Sequence, residues 1–170
     1  MIKYLKRIKE LDPSSKSLIH ILFFNDGLWA LFWFRIAHFL YLKKLKFISL
    51  FIMHKVKTKR GIEIHPGATI GKHLVIDHGV GVVIGETSII GNNCLIYQGV
   101  TLGGTGKDKG KRHPTIGDNV MIGSGAKVLG DIYISNNSKI GANTIVVDSI
   151  YEPSTIIGYK GRIINKHSGL

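Results

Sequence analysis

Three histidines stand in segments rich in glycine or charge, and they are the side chains best suited to chemistry: His65, His78 and His113. Imidazole changes its charge near neutral pH, so it can take a proton from a hydroxyl group as a general base. We therefore expect a histidine to do the proton transfer in any reaction that this protein performs.

Residues 103–115 form a second candidate for chemistry, because the segment is polar, basic and rich in glycine. It reads Gly-Gly-Thr-Gly-Lys-Asp-Lys-Gly-Lys-Arg-His-Pro-Thr and interrupts a regular series of aliphatic residues. Glycine-rich basic loops suit phosphate groups, which need backbone N–H donors and positive charge. We expect the segment to extend as a loop from one edge of a rigid scaffold.

The scaffold itself is predicted by a repeat of six residues. Large aliphatic residues recur at that interval in three runs, 64–82, 84–102 and 116–146, and glycine often follows them. A period of six fits neither an amphipathic helix nor an alternating strand that ends in a hairpin. It is typical of a parallel β-helix, in which each hexapeptide is a short strand plus a turn and three hexapeptides close one coil. We expect about four to five coils.

Residues 1–60 differ from this repeat in composition and charge. They hold 13 Lys and Arg against three acidic residues, a balance of +10 out of the +12 of the whole chain. Apolar residues spaced by three and four predict helices over 18–52, with Asp12-Pro13 as a helix start and a break at residues 25–27. We divide the chain into a helical segment 1–60, a β-helix 61–164 and a tail 165–170.

Composition narrows the class of protein. Hydrophobic residues make up 44% of the chain, which excludes a disordered protein. A single cysteine, Cys94, excludes an intramolecular disulfide and a zinc site of several cysteines. The uncharged stretches are too short to span a bilayer, and no secretory signal is visible, so we expect a cytoplasmic protein. No basic stripe is separated from the aromatic residues, which disfavours nucleic acid and membrane surfaces as partners.

Four blocks of sequence resemble the serine acetyltransferase family: 61–68, 76–87, 98–107 and 111–117. They read GIEIHPGA, IDHGVGVVIGET, QGVTLGGTGK and KRHPTIG, and the resemblance extends over about residues 10–164. It implies a left-handed β-helix preceded by a short α-helical segment. It also implies transfer of acetyl from acetyl-CoA to the hydroxyl of L-serine, which gives O-acetyl-L-serine and CoA on the route to cysteine.

The same resemblance implies roles for individual residues. His78 corresponds to the base that removes the serine proton, and Glu63 stands where the family has the Asp that orients it. His113 corresponds to a second histidine near the serine carboxylate or the tetrahedral intermediate. Arg112 would bind the serine carboxylate through its planar guanidinium.

Further positions follow from the resemblance. Asp12 and Asp77 would hold the amino group and hydroxyl of serine, with Glu86 in support. Acetyl-CoA, as co-substrate, would lie along the outside of the coils, and no metal is implied. Its predicted contacts are residues without bulky side chains: Gly104, Gly123, Ser124, Gly141 and Ala142.

Two other enzyme classes share features with this sequence. His65, His73 and His78 resemble the three metal ligands of β-helical carbonic anhydrases, but His73 and His78 occupy different places in the six-residue register. Related acetyltransferases that modify sugars during surface polysaccharide synthesis keep the chemistry and change the acceptor. A solenoid that serves only as a binding scaffold is disfavoured, because it leaves the histidines, Arg112 and the loop unexplained.

The resemblance also implies partners. Family members are trimers with each active site between neighbouring β-helices, and a long N-terminal extension joins two trimers in larger members. We expect a homotrimer, with a hexamer as the alternative. Members can dock O-acetylserine sulfhydrylase through a terminal isoleucine, so the same partnership is open for a tail ending in Leu170. Feedback inhibition by cysteine is expected on the same grounds.

Overall fold

The computed structural model describes residues 2–11, 17–106 and 109–161. Its first part is helical and its second part consists of short strands. The helices are α1 (Ile2–Leu11), α2 (Leu18–Phe24), α3 (Asp26–Leu42) and α4 (Lys46–Arg60). The predicted break is confirmed, since α2 ends at Phe24 and the side chain of Asn25 caps α3 by accepting from the Leu28 N–H at 2.7 Å. The predicted helix start at Asp12-Pro13 lies outside the described residues.

Fourteen strands of two or three residues follow within the described residues. They are β1 (Glu63–Ile64), β2 (Thr69–Ile70), β3 (Val75–Ile76), β4 (Val83–Ile84), β5 (Ile89–Ile90), β6 (Leu95–Ile96), β7 (Thr101–Gly103), β8 (Thr115–Ile116), β9 (Met121–Ile122), β10 (Lys127–Leu129), β11 (Tyr133–Ile134), β12 (Lys139–Ile140), β13 (Ile145–Val146) and β14 (Thr155–Ile156).

From β1 to β13 every third strand lies in the same parallel sheet, so the chain winds around a three-sided prism. After β13 an isolated bridge from Ile150 to Ile134 takes the place of a strand, and β14 therefore joins sheet 3. Sheet 1 holds β1, β4, β7, β10 and β13, sheet 2 holds β2, β5, β8 and β11, and sheet 3 holds β3, β6, β9, β12 and β14. The three edges of the prism are named corner 1–2, corner 2–3 and corner 3–1 after the sheets that meet there. The predicted parallel β-helix is thus confirmed.

The register of the sheets explains the six-residue repeat. Ile64 pairs with Ile84, Ile84 with Leu102, and Leu102 with Val128, so one aliphatic residue stacks on the next along the inside of sheet 1. These side chains are almost fully buried. Cys94 also lies inside the prism, where burial raises the pKa of its thiol to about 11. It is therefore a core residue, as predicted.

Helices α3 and α4 close the first end of the prism. The buried side chains of α3 and α4 form one continuous core with those of the first coil, including Phe34, Met53 and Ile62. A methyl group on Gly27 would lie 2.2 Å from the carbonyl oxygen of Ile76, so only glycine lets α3 approach sheet 3 this closely. No helix in the described part of the chain is long and apolar enough to span a membrane.

The first coil presents backbone carbonyl groups to these helices. Many backbone N–H groups donate to a carbonyl of the following coil, as from Gly71 to Ile90 at 2.7 Å, and the equivalent carbonyls of the first coil have no preceding coil to supply a donor. Arg35 donates to the carbonyls of Ile70 and Gly71. His38 contacts the Pro66 carbonyl at 2.8 Å, and the Tyr4 hydroxyl donates to the Leu74 carbonyl. Side chains of α1 and α3 thus supply donors to several carbonyls of this end.

Candidate active site

Corner 1–2 gathers several of the polar residues singled out in the sequence. Glu86 follows β4, while Arg112 and His113 precede β8 at the end of the loop 103–115. His65 follows β1 and so lies at the same corner, one coil before Glu86. Residues far apart in sequence therefore stack along one edge of the prism.

Glu86 accepts two hydrogen bonds at this corner, one on each carboxylate oxygen. Arg112 Nη2 donates to Glu86 Oε2 at 2.9 Å, and the Tyr41 hydroxyl donates to Oε1 at 3.0 Å. Both bonds lower the pKa of Glu86, and the bond from Arg112 has the larger effect. Glu86 is therefore ionised at neutral pH. A guanidinium has five N–H donors, so Arg112 can hold Glu86 and still receive a second carboxylate.

His113 is buried and held by Thr87. The Thr87 hydroxyl accepts the backbone N–H groups of Arg112 at 3.0 Å and His113 at 3.2 Å, so its own hydrogen points to His113 Nδ1, 2.8 Å away. The Thr87 N–H donates to the same nitrogen at 3.2 Å. Since Nδ1 accepts both bonds, the proton of the neutral ring resides on Nε2.

The ionisation state of His113 follows from its surroundings. Burial lowers the pKa of His113, and the positive charges of Arg112 and Lys111 lower it further. The ring is therefore neutral at physiological pH and offers Nε2–H as a hydrogen-bond donor. A methyl group on Gly85 would lie 2.1 Å from Nε2, so glycine at that position leaves room for the ring.

His65 completes the polar cluster at corner 1–2. Its Nδ1 accepts the Gly67 N–H at 3.0 Å, and burial lowers its pKa. The ring of Tyr41 meets that of His65 edge to face, with centroids 5.7 Å apart. His65 is thus a neutral ring packed beside the Tyr41–Glu86–Arg112 chain.

Corner 3–1 carries His78. This residue follows β3 and precedes β4, its side chain is exposed, and its backbone adopts the left-handed conformation with φ 58°. Asp77 precedes it, and the Asp77 N–H donates to the Ile96 carbonyl at 2.9 Å. Gly79 packs against Ile62, where a methyl group would meet the side chain at 2.5 Å.

Glu63 lies next to this corner on β1, but its carboxylate has another partner. It forms an ion pair with Lys57 of α4 at 2.6 Å, and both side chains are about half exposed. Among the contacts of the described residues, no hydrogen bond joins Glu63 to His78. Orientation of His78 by Glu63 therefore stays a prediction.

The residues expected to contact acetyl-CoA divide between two corners. Gly123 and Ser124 follow β9, and Gly141 and Ala142 follow β12, so all four lie at corner 3–1, further along the edge that carries His78. Gly104 follows β7 at corner 1–2. A methyl group on Gly123 would lie 2.7 Å from the Ala142 nitrogen, so the stacking of coils by itself requires glycine there.

A single chain therefore does not bring the predicted site residues together. Arg112, His113 and Glu86 share corner 1–2, whereas His78 and Asp77 share corner 3–1. Asp12 lies outside the described residues.

The alternative metal site does not assemble within one chain either. His65 lies at corner 1–2, His73 at corner 2–3 and His78 at corner 3–1. Across the described ranges, no group of three His, Cys, Asp or Glu side chains could hold an ion. The three-histidine reading is therefore not supported by the arrangement of this chain.

Two residues of the cluster were missed by the sequence analysis. Thr87 stands in the block 76–87, and its spacing from His113 gives no sign that they touch. Tyr41 stands 45 residues before Glu86 in a helix. The sequence does give the corner of each residue by counting strands in threes, and this count could have grouped Thr87 with Arg112 and His113.

Comparisons with known proteins agree on one family. The model for "Bacterial transferase hexapeptide (six repeats)" matches residues 113–148. The chain is 51% identical over 173 residues to a serine acetyltransferase of Staphylococcus xylosus, covering 98% of this chain and 80% of the relative. It is 52% identical over 153 residues to that of Bacillus subtilis strain 168, covering 90% and 70%.

Solved structures give the same result. Serine acetyltransferase isoform 3 of Entamoeba histolytica, in complex with cysteine, superposes with a TM-score of 0.90 and 42% identity, covering 97% of this chain and 60% of the other. Soybean serine acetyltransferase complexed with serine gives a TM-score of 0.88 and 41% identity, covering 94% and 66%. The chain thus spans about two thirds or less of these solved chains.

Proposed function

Because this chain belongs to the serine acetyltransferase family, we propose that it transfers the acetyl group of acetyl-CoA to the hydroxyl of L-serine, giving O-acetyl-L-serine and CoA. The observation that carries the proposal is that two groups lie together at corner 1–2. Arg112 is a cation that can bind a carboxylate, and His113 is a neutral ring that can donate an N–H hydrogen bond. A neutral sugar acceptor has no carboxylate and would offer Arg112 no group of opposite charge to bind.

The proposed reaction runs in a ternary complex. Arg112 binds the serine carboxylate, and His78 removes the proton of the serine hydroxyl as its oxygen bonds to the acetyl carbonyl carbon. The Nε2–H of His113 donates to the oxygen that becomes negative in the tetrahedral intermediate. When the carbon–sulfur bond breaks, His78 returns the proton to the departing thiolate.

The remaining predicted contacts fit around these three groups. Asp77, beside His78, and Asp12 hold the amino group and hydroxyl of serine. Acetyl-CoA extends along corner 3–1 past Ser124 and Ala142, whose side chains are small. The solved relatives bind serine in one case and cysteine in the other. Both amino acids present a carboxylate for Arg112, so we also expect cysteine to compete with serine.

A homotrimer supplies both corners to each site. His78 and His113 lie at different edges of one prism, so they meet only if corner 3–1 of one copy lies against corner 1–2 of another. Three copies around a threefold axis make three such contacts, each using the two edges in the same way. We further infer a left-handed winding of the coils, as in the family; the cytoplasmic location and the docking of a sulfhydrylase stay predictions.

The acceptor is tested by measuring thiol release from acetyl-CoA by the purified protein, with L-serine compared against a panel of sugars and nucleotide sugars. We expect release with serine at millimolar concentration or below. Release with a sugar and none with serine would contradict the proposal and leave a sugar O-acetyltransferase as the alternative.

A further inference from the structure

The last turn of α3 reaches the polar cluster through a single side chain. The Tyr41 hydroxyl donates to Glu86 Oε1 at 3.0 Å, and Arg112 Nη2 donates to Glu86 Oε2 at 2.9 Å. One carboxylate therefore joins a helix of the N-terminal segment to the end of the loop 103–115. The bond from Arg112 fixes only one of its two oxygens.

Tyr41 is itself held firmly in place. Its ring packs edge to face on His65, with centroids 5.7 Å apart. Lys46, the first residue of α4, places its Nζ 5.4 Å from the centroid of the Tyr41 ring. A methyl group on Gly67 would lie 3.2 Å from Tyr41 Cε1. One turn earlier on α3, His38 contacts the Pro66 carbonyl at 2.8 Å. The end of α3 is thus fixed against residues 65–67.

Glu86 connects these contacts of Tyr41 to Arg112. Its long side chain is only partly buried, with 27% of its surface exposed, so packing alone does not define its position. Glu86 is also partly exposed, and the bond from Arg112 holds only one of its two carboxylate oxygens. With Tyr41 on the second oxygen, the plane of the carboxylate is set, and a set carboxylate plane orients the guanidinium that binds it.

We propose that Tyr41 is a positioning residue that fixes Glu86 and, through it, holds Arg112 ready for the carboxylate of the substrate. The inference rests on the proposed function for the identity of that substrate. It assigns the helical segment a role in substrate binding, in addition to its role in closing the prism. The bond from Tyr41 also contributes to keeping Glu86 ionised, as the lowered pKa of this carboxyl indicates.

The test compares two tyrosine-to-phenylalanine variants. Tyr41→Phe removes only the hydroxyl and keeps the ring on His65. Tyr4→Phe is the matched control, because it also removes one hydrogen bond between a helix and the β-helix, in this case to the Leu74 carbonyl at corner 2–3. Both variants lose one such bond, and only Tyr41→Phe loses the link to Arg112.

The proposed function is tested first, by measuring serine-dependent thiol release with the wild-type protein. For Tyr41→Phe we then expect the KM for serine to rise about three- to tenfold, with kcat and the KM for acetyl-CoA nearly unchanged. Tyr4→Phe should leave all three constants unchanged. In a Glu86→Ala background the added Tyr41→Phe change should have no further effect, because its route to Arg112 is already cut. An unchanged KM for serine in Tyr41→Phe, or full additivity with Glu86→Ala, would overturn the inference while the proposed function stands.

A second readout does not depend on the acceptor. Phenylglyoxal modifies arginine side chains, and peptide mass mapping gives the rate at each arginine, with Arg60, paired with Asp26, as internal reference. We expect Arg112 to react several-fold faster in Tyr41→Phe than in the wild type and at an unchanged rate in Tyr4→Phe. Equal rates at Arg112 in all three proteins would refute the inference even if serine proved to be the wrong acceptor.

Discussion

Two inactive variants should restore each other's activity, because the proposed site takes His78 and His113 from different copies. His78→Ala removes the base, and we expect it to lose most turnover while it still binds CoA. His113→Ala removes the buried donor at the other corner. Neither change touches the edge that carries the other histidine, so each variant keeps one intact half of a site.

The size of the recovery follows from the geometry of a ring. In a trimer each site pairs corner 3–1 of one copy with corner 1–2 of the next, always in the same direction. A mixed trimer holds two copies of one variant and one of the other. In either composition, a single contact joins an intact His78 to an intact His113. We therefore expect about one third of the wild-type turnover per trimer.

The assay uses two affinity tags. The variants are co-expressed with different tags and purified on both in succession, which selects mixed trimers and removes the pure ones. Sedimentation shows whether each preparation is trimeric, and thiol release gives turnover. A matched control mixes wild type with a chain that carries both changes. The turnover of these mixed trimers should not exceed that expected from contacts between two wild-type copies. Mixed trimers with no turnover above the single variants would refute a shared site, and a protein that is not trimeric would refute the assembly.

Three further predictions concern corner 1–2. Arg112→Ala should raise the KM for serine about ten- to a hundredfold and that for acetyl-CoA far less; equal increases in steady-state kinetics would remove its assigned role. Thr87→Val should lower kcat about tenfold, because His113 loses the closer of the two donors that hold its proton on Nε2, whereas Thr87→Ser should retain activity; a fully active valine variant would contradict this. Burial lowers the pKa of His65 and His113 from 6.5, so below that pH the unfolded chain binds protons that the folded chain does not, and stability falls as the pH drops. The Tm should therefore decrease between about pH 7 and pH 5, less steeply in His113→Gln, and a flat profile would count against neutral buried rings.

The fold was predictable because the period of the sequence repeat indicates which residues stack on one another. Residues that stack in one column are chemically alike, so Ile64, Ile84 and Leu102 can be recognised without knowledge of any distant contact. The loop 103–115 was predictable for the opposite reason, since its polar residues break the series. These inferences use only neighbouring residues and a period.

The contacts of the site were less predictable, since they join residues from separate elements. The Tyr41–Glu86 bond depends on how α3 meets the first coils, and no local pattern encodes that angle. Glu63 illustrates the same limit, because its spacing from His78 matches the family while its carboxylate pairs with Lys57 of α4. Side-chain partners at helix–coil contacts are decided by tertiary packing.

The side chains that bond the carbonyl groups of the first coil also oppose end-to-end association of one β-helix with another. A parallel β-helix has open strand edges at its end, and such edges are templates on which another chain can add strands and grow into fibres. Arg35 and Tyr4 occupy acceptors that a further coil would use, the carbonyls of Ile70 and Leu74. Their donors come from helices, which cannot continue a β-ladder, so the stack of coils has a defined first layer and end-to-end polymerisation is blocked at this face.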